Sequence, residues 1–403
     1  MEKLKKIHLE FQNSQLNQTI SRSLFSFMIL MQIVVGSSML MSYAFISDIY
    51  FNYFLVFMPF LVIGYTILFH EWEARKLHFY LIVLVFIQII NINTNFQTES
   101  FYLLATMMII NNEKAEWILK SLFRLFIASI GVVFMMYFLN IIPAHTFTIY
   151  YGSTRNSLGF WHPNTTVGIY LIAMLLYLGT LKDKVTVKGF LILSAGFLVV
   201  NYFANMFFAL IIFLLALAFV CIVRFFPKWQ NLSFKISLRI FNIILPLLAV
   251  FSYVLALIYN YENSFLYGLN QLLGRRLSQG HYFIVNVTNN ELSLFGRTIE
   301  NISILTLPNV PSYAEIALDN GYLFTLLTQG MIYFILVIIA LMLVINKLYK
   351  QGYVWMPLIG IILAFWGFVD HAFMRLPFAV FLLLIGTCIG EFNLFRSQNE
   401  NGG

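Results

Sequence analysis

Charge is what this sequence has least of. Lys, Arg, Asp and Glu make up only 10% of its 403 residues, against about 25% in a soluble globular domain. So few charges cannot cover a water-facing surface. Cysteine is nearly absent too. Cys221 and Cys388 both fall in apolar stretches, which excludes a disulfide framework and the ligand spacing of a thiolate metal site. There is no soluble domain, no low-complexity tail, no Asp-x-Asp pair and no evident internal repeat. The missing repeat counts against the common transporter architectures.

What fills the chain instead is apolar bulk: 60% hydrophobic residues, with 43 Phe and 22 Tyr. The composition points to an all-α polytopic membrane protein, a single integral membrane domain over 1–403. A net charge of +7 would suggest nucleic acid for a soluble protein. In a membrane protein it marks loops facing anionic lipid, so the bilayer is the expected partner and nucleic acid is not.

A spanning helix needs roughly 17–25 apolar residues. By that rule spans are expected near 23–46, 51–69, 77–92, 98–111, 119–141, 165–181, 188–203, 206–226, 239–259, 320–345, 354–369 and 376–393. The apolar run after the basic leader "MEKLKKIHLEFQNSQLNQTISR" is too long for a signal-peptide core and reads as a retained first span. The 39 residues of 188–226 would make a helix about 58 Å long. The hydrocarbon core is only about 30 Å thick, so the chain must turn back, and Asn201 and Asn205 mark the turn. The long hydrophilic segment, 260–318, is expected outside, between the ninth and tenth spans.

Loop charge sets the orientation. With both termini cytoplasmic, 19 of the 24 basic residues lie inside, as the positive-inside rule requires. The remaining five are Arg155, Arg275, Arg276, Arg297 and Arg375, and none is lysine. Arginine offers a permanent charge and a planar fork of donors suited to phosphate or carboxylate. The five therefore read as an outward-facing site for an anion. The plain alternative is that they snorkel, or pair with Glu291, Glu300 and Asp370.

Other outer residues can carry chemistry. "NQLLGRRLSQGHYFI" (270–284) alternates apolar and basic stretches, like a helix at the membrane interface, and carries Arg275, Arg276 and His281. In "LSLFGRTIENI" (292–302) Gly296 precedes Arg297, where a turn can bring backbone close to a ligand. Asp319 or Asn320 is a plausible N-cap for the next helix. Of the outer histidines His145, His162, His281 and His371, His162 and His281 each lie near an outer arginine. "VDHAFMRLP" (369–377) packs Asp370, His371 and Arg375 into one turn, where an Asp–His pair can raise imidazole basicity or serve only local structure.

Against this background "RNSLGFWHPN" (155–164) resembles the outer loop of polysaccharide repeat-unit polymerases of Gram-positive bacteria, which belong with O-antigen polymerases and O-antigen ligases. "LLGRR" (272–276), "LFG" (294–296) and "DNGYLFTLLTQG" (319–330) extend the resemblance over about 155–330. The sequence departs from the pattern at "NYFANMFFAL" (201–210), where relatives carry an arginine. Asn205 or Arg297 can stand in there. It departs again at Asp370, where relatives often have Glu.

The resemblance implies a glycosyltransferase of the multi-helix, lipid-sugar-using (GT-C-like) architecture in the plasma membrane, with its site outside. It implies undecaprenyl-diphosphate-linked oligosaccharide as substrate, and a flippase and a chain-length regulator as possible partners. No cofactor or metal is expected. Arg155, Arg275 and Arg276, with Arg297 as a fourth candidate, would bind the diphosphate. His162, Asn164 and Tyr322 would bind or frame the sugar, with Pro163 fixing the helix start. His281, Asp319 and His371 are the candidate general bases. Aromatics here also fit an interfacial belt. Two other activities stay open: a ligase passing finished glycan to a terminal acceptor, and a lipid-linked sugar transporter. The latter would need more polar groups mid-span than Gln32, Gln88 and Gln329 supply.

Overall fold

The computed structural model describes residues 10–12, 14–94, 97–143, 145–148, 154–182, 187–299, 305–306, 315–316, 318–370 and 378–389. The elements named here, and what is present or absent among them, belong to these residues. Seven helices are long and apolar enough to cross a membrane: α1 (Gln15–Val35), α2 (Ala44–Phe69), α3 (Ala74–Ile92), α5 (Ala115–Phe138), α8 (Phe207–Phe225), α9 (Gln230–Leu257) and α13 (Met331–Lys350). Shorter apolar helices lie between and after them, at Ser100–Ile109 (α4), Lys188–Ala204 (α7), Met356–Phe368 (α14) and Ala379–Cys388 (α15). With α6 (Pro163–Thr180), every apolar segment expected from the sequence contains a helix. The chain is an all-α membrane protein.

Large apolar side chains such as Leu61, Ile82, Ile192, Ile243 and Val250 point outward, each more than 60% exposed. In a bilayer these are lipid contacts, because acyl chains take the place of water around the bundle. Among the helices of spanning length, α6 is well enclosed. Thirteen of its eighteen residues are buried, so its neighbours α5 and α7 leave it little lipid. The pairing of α6 with α7 is antiparallel: Tyr170 approaches Gly196 and Phe197, while Tyr177 approaches Gly189.

Several element boundaries differ from the sequence reading. The first helix runs Gln15–Val35, not 23–46. Ser14 caps its start by accepting a hydrogen bond from Asn17 N. Beyond Gly36 the backbone leaves the helix to bond with a distant loop, as described below. The turn in 188–226 is where length demanded it, with Asn205 in the left-handed region at φ 49°.

The expected tenth span is cut at Gly330. A buried nine-residue helix, α12 (Gly321–Gln329), ends there and α13 begins. The cause is a long-range backbone interlock. Met331 N and Ile332 N donate to Ser293 O and Leu294 O at 2.9 and 3.2 Å, and Arg297 N donates to Thr328 O at 3.0 Å. Gly330 has φ 92°, and a Cβ there would lie 2.2 Å from Gly296 N. Gly296, at φ 84°, would meet Thr328 O at 2.4 Å. Only glycine fits at either place. The close approach foreseen at Gly296 is thus to the protein's own backbone.

The segment 260–318 holds two short helices, α10 (Ser264–Leu272) and α11 (Arg276–Tyr282), split by the left-handed pair Gly274 and Arg275 at φ 61° and 68°. Buried Asn270 ties them together, its Oδ1 accepting from Leu277 N and Ser278 N at 3.1 and 3.0 Å. The other strands are two small hairpins, β1 (Thr146–Thr148) with β2 (Thr154–Asn156), and β3 (Leu305–Thr306) with β4 (Glu315–Ile316).

Candidate functional site: an arginine-bearing end of the bundle

The stretch "RNSLGFWHPN" is a folded wedge. Arg155 and Asn156 belong to β2, with Arg155 paired in register to Phe147. Asn156 Oδ1 accepts from Leu158 N at 2.8 Å and its Nδ2 donates to Tyr137 Oη at 2.8 Å, which fixes the turn on α5. Leu158 and Gly159 then take positive φ. Phe160 is wholly buried, edge-on to Phe134. Met39 N donates to Gly159 O at 2.8 Å and Trp161 N to Ser37 O at 3.0 Å. The chain beyond α1 is therefore pinned to this wedge, which is why α1 stops at Val35.

His162 closes the wedge as N-cap of α6, its Nδ1 accepting from Asn164 N at 3.1 Å, with Pro163 at the first helical position. An Nδ1 that accepts is unprotonated, so the neutral ring carries its proton on Nε2. His162 thus presents a donor. His281 is the reverse. Its Nδ1 lies 2.9 Å from the carbonyl of Ala256, which can only accept. In the neutral ring the proton therefore sits on Nδ1 and the lone pair on Nε2.

The arginines differ in how they are held. Arg155 is half-buried. Its Nη1 lies 3.6 Å from Met206 Sδ, in the turn between α7 and α8, and its buried Nε has no partner. Burial, and after it the like charge of Arg276, pull its pKa below the usual arginine value. A desolvated cation beside another cation is costly unless an anion joins them. Arg276 donates from Nη1 to Leu273 O at 3.0 Å. Arg275 is exposed and left-handed, a conformation rare for a non-glycine residue. Arg297 is tied to its own segment: Nη2 donates to Glu291 O at 2.7 Å and Nη1 to Thr288 O at 3.4 Å. Arg276 is near enough to Arg155 for its charge to act on it, although the two come from distant segments.

Asn164 has a buried Oδ1 without a partner, and so does Asn201 across the α6–α7 pair. Asn320, not Asp319, caps α12, its Oδ1 accepting from Tyr322 N and Leu323 N at 3.0 and 3.1 Å. Capping therefore does not occupy the Asp319 carboxylate. The expectation for Tyr322 needs correction. The residue is fully buried and its hydroxyl donates to Ala364 O at 2.7 Å, so its ring belongs to the core and has no face for a sugar. His371 and Arg375 lie outside the described residues, while Asp370 is buried.

Sequence reasoning missed Met206 as the neighbour of Arg155. A lone methionine after a helix turn carries no signal of that kind. It missed Asn270 as well, whose spacing of seven and eight residues to the groups it caps matches no local capping pattern.

The geometry defines a class: an all-α membrane protein with a cationic, hydrogen-bonding patch at one end of its bundle. No protein-family model, curated protein or solved structure matches the chain.

Proposed function

We propose that this protein is a bacterial polysaccharide polymerase of the plasma membrane. It joins undecaprenyl-diphosphate-linked oligosaccharide units at the outer face. The reading comprises twelve spans, both termini in the cytoplasm, and a GT-C-like arrangement with the arginine-bearing end outside. One observation carries it: Arg155 and Arg276, from segments about 120 residues apart in sequence, stand near each other with Arg155 desolvated and its Nε unpartnered. A diphosphate offers the buried, unpartnered Nε of Arg155 an anionic acceptor.

In the reaction, the acceptor hydroxyl oxygen attacks the anomeric carbon of the donor glycan. The bond from that carbon to the diphosphate breaks, and its electron pair leaves on the diphosphate. Arg155 and Arg276 stabilise that charge, with Arg275 beside them. His281 Nε2 receives the hydroxyl proton, and the His162 Nε2–H donates to a sugar oxygen.

The test is the glycan made by cells carrying Arg155→Ala, Arg275→Ala or His162→Ala, with membrane insertion verified. Single repeat units held on the carrier are expected. Full-length polymer accumulating on carrier would instead indicate a ligase. Units trapped on the cytoplasmic face would indicate a transporter.

A further inference from the structure

At the end of α1 opposite the wedge lies a cavity of about 510 Å³. It is framed by the first turns of α1, the 70–73 link between α2 and α3, and the 110–114 link between α4 and α5. Its size falls in the range of small-molecule sites, roughly 300–1,000 Å³. The lining is unusual for a membrane protein made mostly of apolar residues: amides, hydroxyls, carboxylates, one imidazole and one indole, with Ile109 the single aliphatic contributor.

The cavity wall is built and held. His70 is 6% exposed. Its Nε2 lies 2.8 Å from Ser21 Oγ, which donates to Asn17 O at 2.9 Å, and its Nδ1 lies 3.4 Å from Asn111 Oδ1. Asn17 donates to Phe69 O at 2.8 Å, and Trp72 donates its indole N–H to Thr66 O at 3.0 Å. These bonds immobilise the ring of Trp72 and the imidazole before any ligand arrives. Behind them Asn111 is 2% exposed, yet its Nδ2 has no partner.

Charge narrows the ligand. Among the described residues no Lys or Arg lines the cavity, so the described lining is not built for an anion. Glu113 is held by Arg22 through two bonds of 2.7 and 3.0 Å, and Glu73 is paired with Lys76 at 3.2 Å. Those pairings offset two of the three carboxylates in the lining, and the third, Glu71, is exposed, where water screens its pull on a cation. What remains are groups that donate and accept together, beside a fixed indole. Hydroxyls do the same, and the C–H face of a sugar ring packs on indole.

We propose that this cavity is a second ligand site, on the face opposite the arginines, for a neutral polyhydroxylated molecule such as a sugar. It stands independently of the outer-face chemistry.

The test uses the full chain in lipid nanodiscs and saturation-transfer NMR with glucose and N-acetylglucosamine as probes. Tetramethylammonium and inorganic phosphate serve as charged comparators. Gln15 and Asn112 both line the cavity and are exposed, so Gln15→Ala with Asn112→Ala should leave the fold intact, checked by an unchanged Tm. Transfer to at least one sugar is expected, reduced about threefold to tenfold in the double variant, as the loss of one or two hydrogen bonds implies, and unchanged in Arg155→Ala. The proposal is overturned if neither sugar shows transfer, if the double variant leaves transfer unaltered, or if Arg155→Ala removes it. It is equally overturned if tetramethylammonium or phosphate displaces the sugar.

Discussion

Arg155 lies close enough to Arg276 that the second guanidinium's charge, added to burial, weakens the first one's hold on its proton. Arg155 sits in the β1–β2 hairpin, while Arg276 opens α11 and donates to Leu273 O.

This arrangement separates stability from function. Arg155→Ala removes a partly desolvated, repelled charge, so Tm should stay level or rise. Glycan transfer should fall by roughly 10²–10³, the usual effect of losing one donor to a developing oxyanion. Arg155→Lys keeps the charge without the fork and should recover only part of the activity. A lower Tm with normal polymer would show that Arg155 serves the hairpin alone.

His162 can be divided between its two roles. His162→Ala loses the N-cap of α6, a cost of about 1 kcal/mol. His162→Asn restores a good cap while removing the Nε2–H donor. Thermal unfolding should separate Ala from Asn, whereas polymer length should fall in both. Normal polymer from His162→Asn would mean that the imidazole is a cap and nothing more.

Gly330→Ala should be severely destabilising, since its φ of 92° and ψ of 164° cost roughly 1–3 kcal/mol for a residue with a Cβ, before the contact with Gly296 N is counted. Gly268 is the control. It sits in α10 with open space around it, so Gly268→Ala should stabilise by about 0.5–1 kcal/mol. Unfolding midpoints of the two variants should therefore move in opposite directions.

Burial lowers the pKa of His70, with its bond to Asn111 and the charge of Glu113 acting the other way. The unfolded chain binds this proton first, near pH 6.5. The stability that depends on neutral His70 is thus complete above about pH 6.5 and is lost as pH falls from there through the lowered folded value. Tm measured from pH 7.5 to 5 should decline, and His70→Gln should flatten that decline. An identical slope in both proteins would remove His70 as its cause.

Much of this was legible in the chain. That 188–226 must turn followed from length, because a helix cannot outrun the bilayer, and of the polar pair that marked the place Asn205 forms the turn while Asn201 stays in α7. Pro163 at the head of α6 followed from its missing N–H. The arginines stood out because loop charge disfavours them. What stayed hidden depends on contacts between distant segments. Gly330 reads as a tolerated glycine in an apolar run until Gly296 is laid against it. Tyr322 shares a motif with polar neighbours, yet the helix it sits on is buried on all sides. Arg297 looks like its fellow arginines in sequence and differs only in having two carbonyls of its own loop within reach.

The enclosure of α6 bears on how the protein is made. A helix whose surface is covered by protein gains little from meeting lipid, and it opens with Pro163, Asn164 and two threonines. Its residence in the bilayer depends on α5 and α7 already flanking it, so these three should leave the translocon together as one unit. A truncation ending after Thr180 would then strand α6 with half its walls missing, and that nascent chain should be the form most readily extracted and degraded.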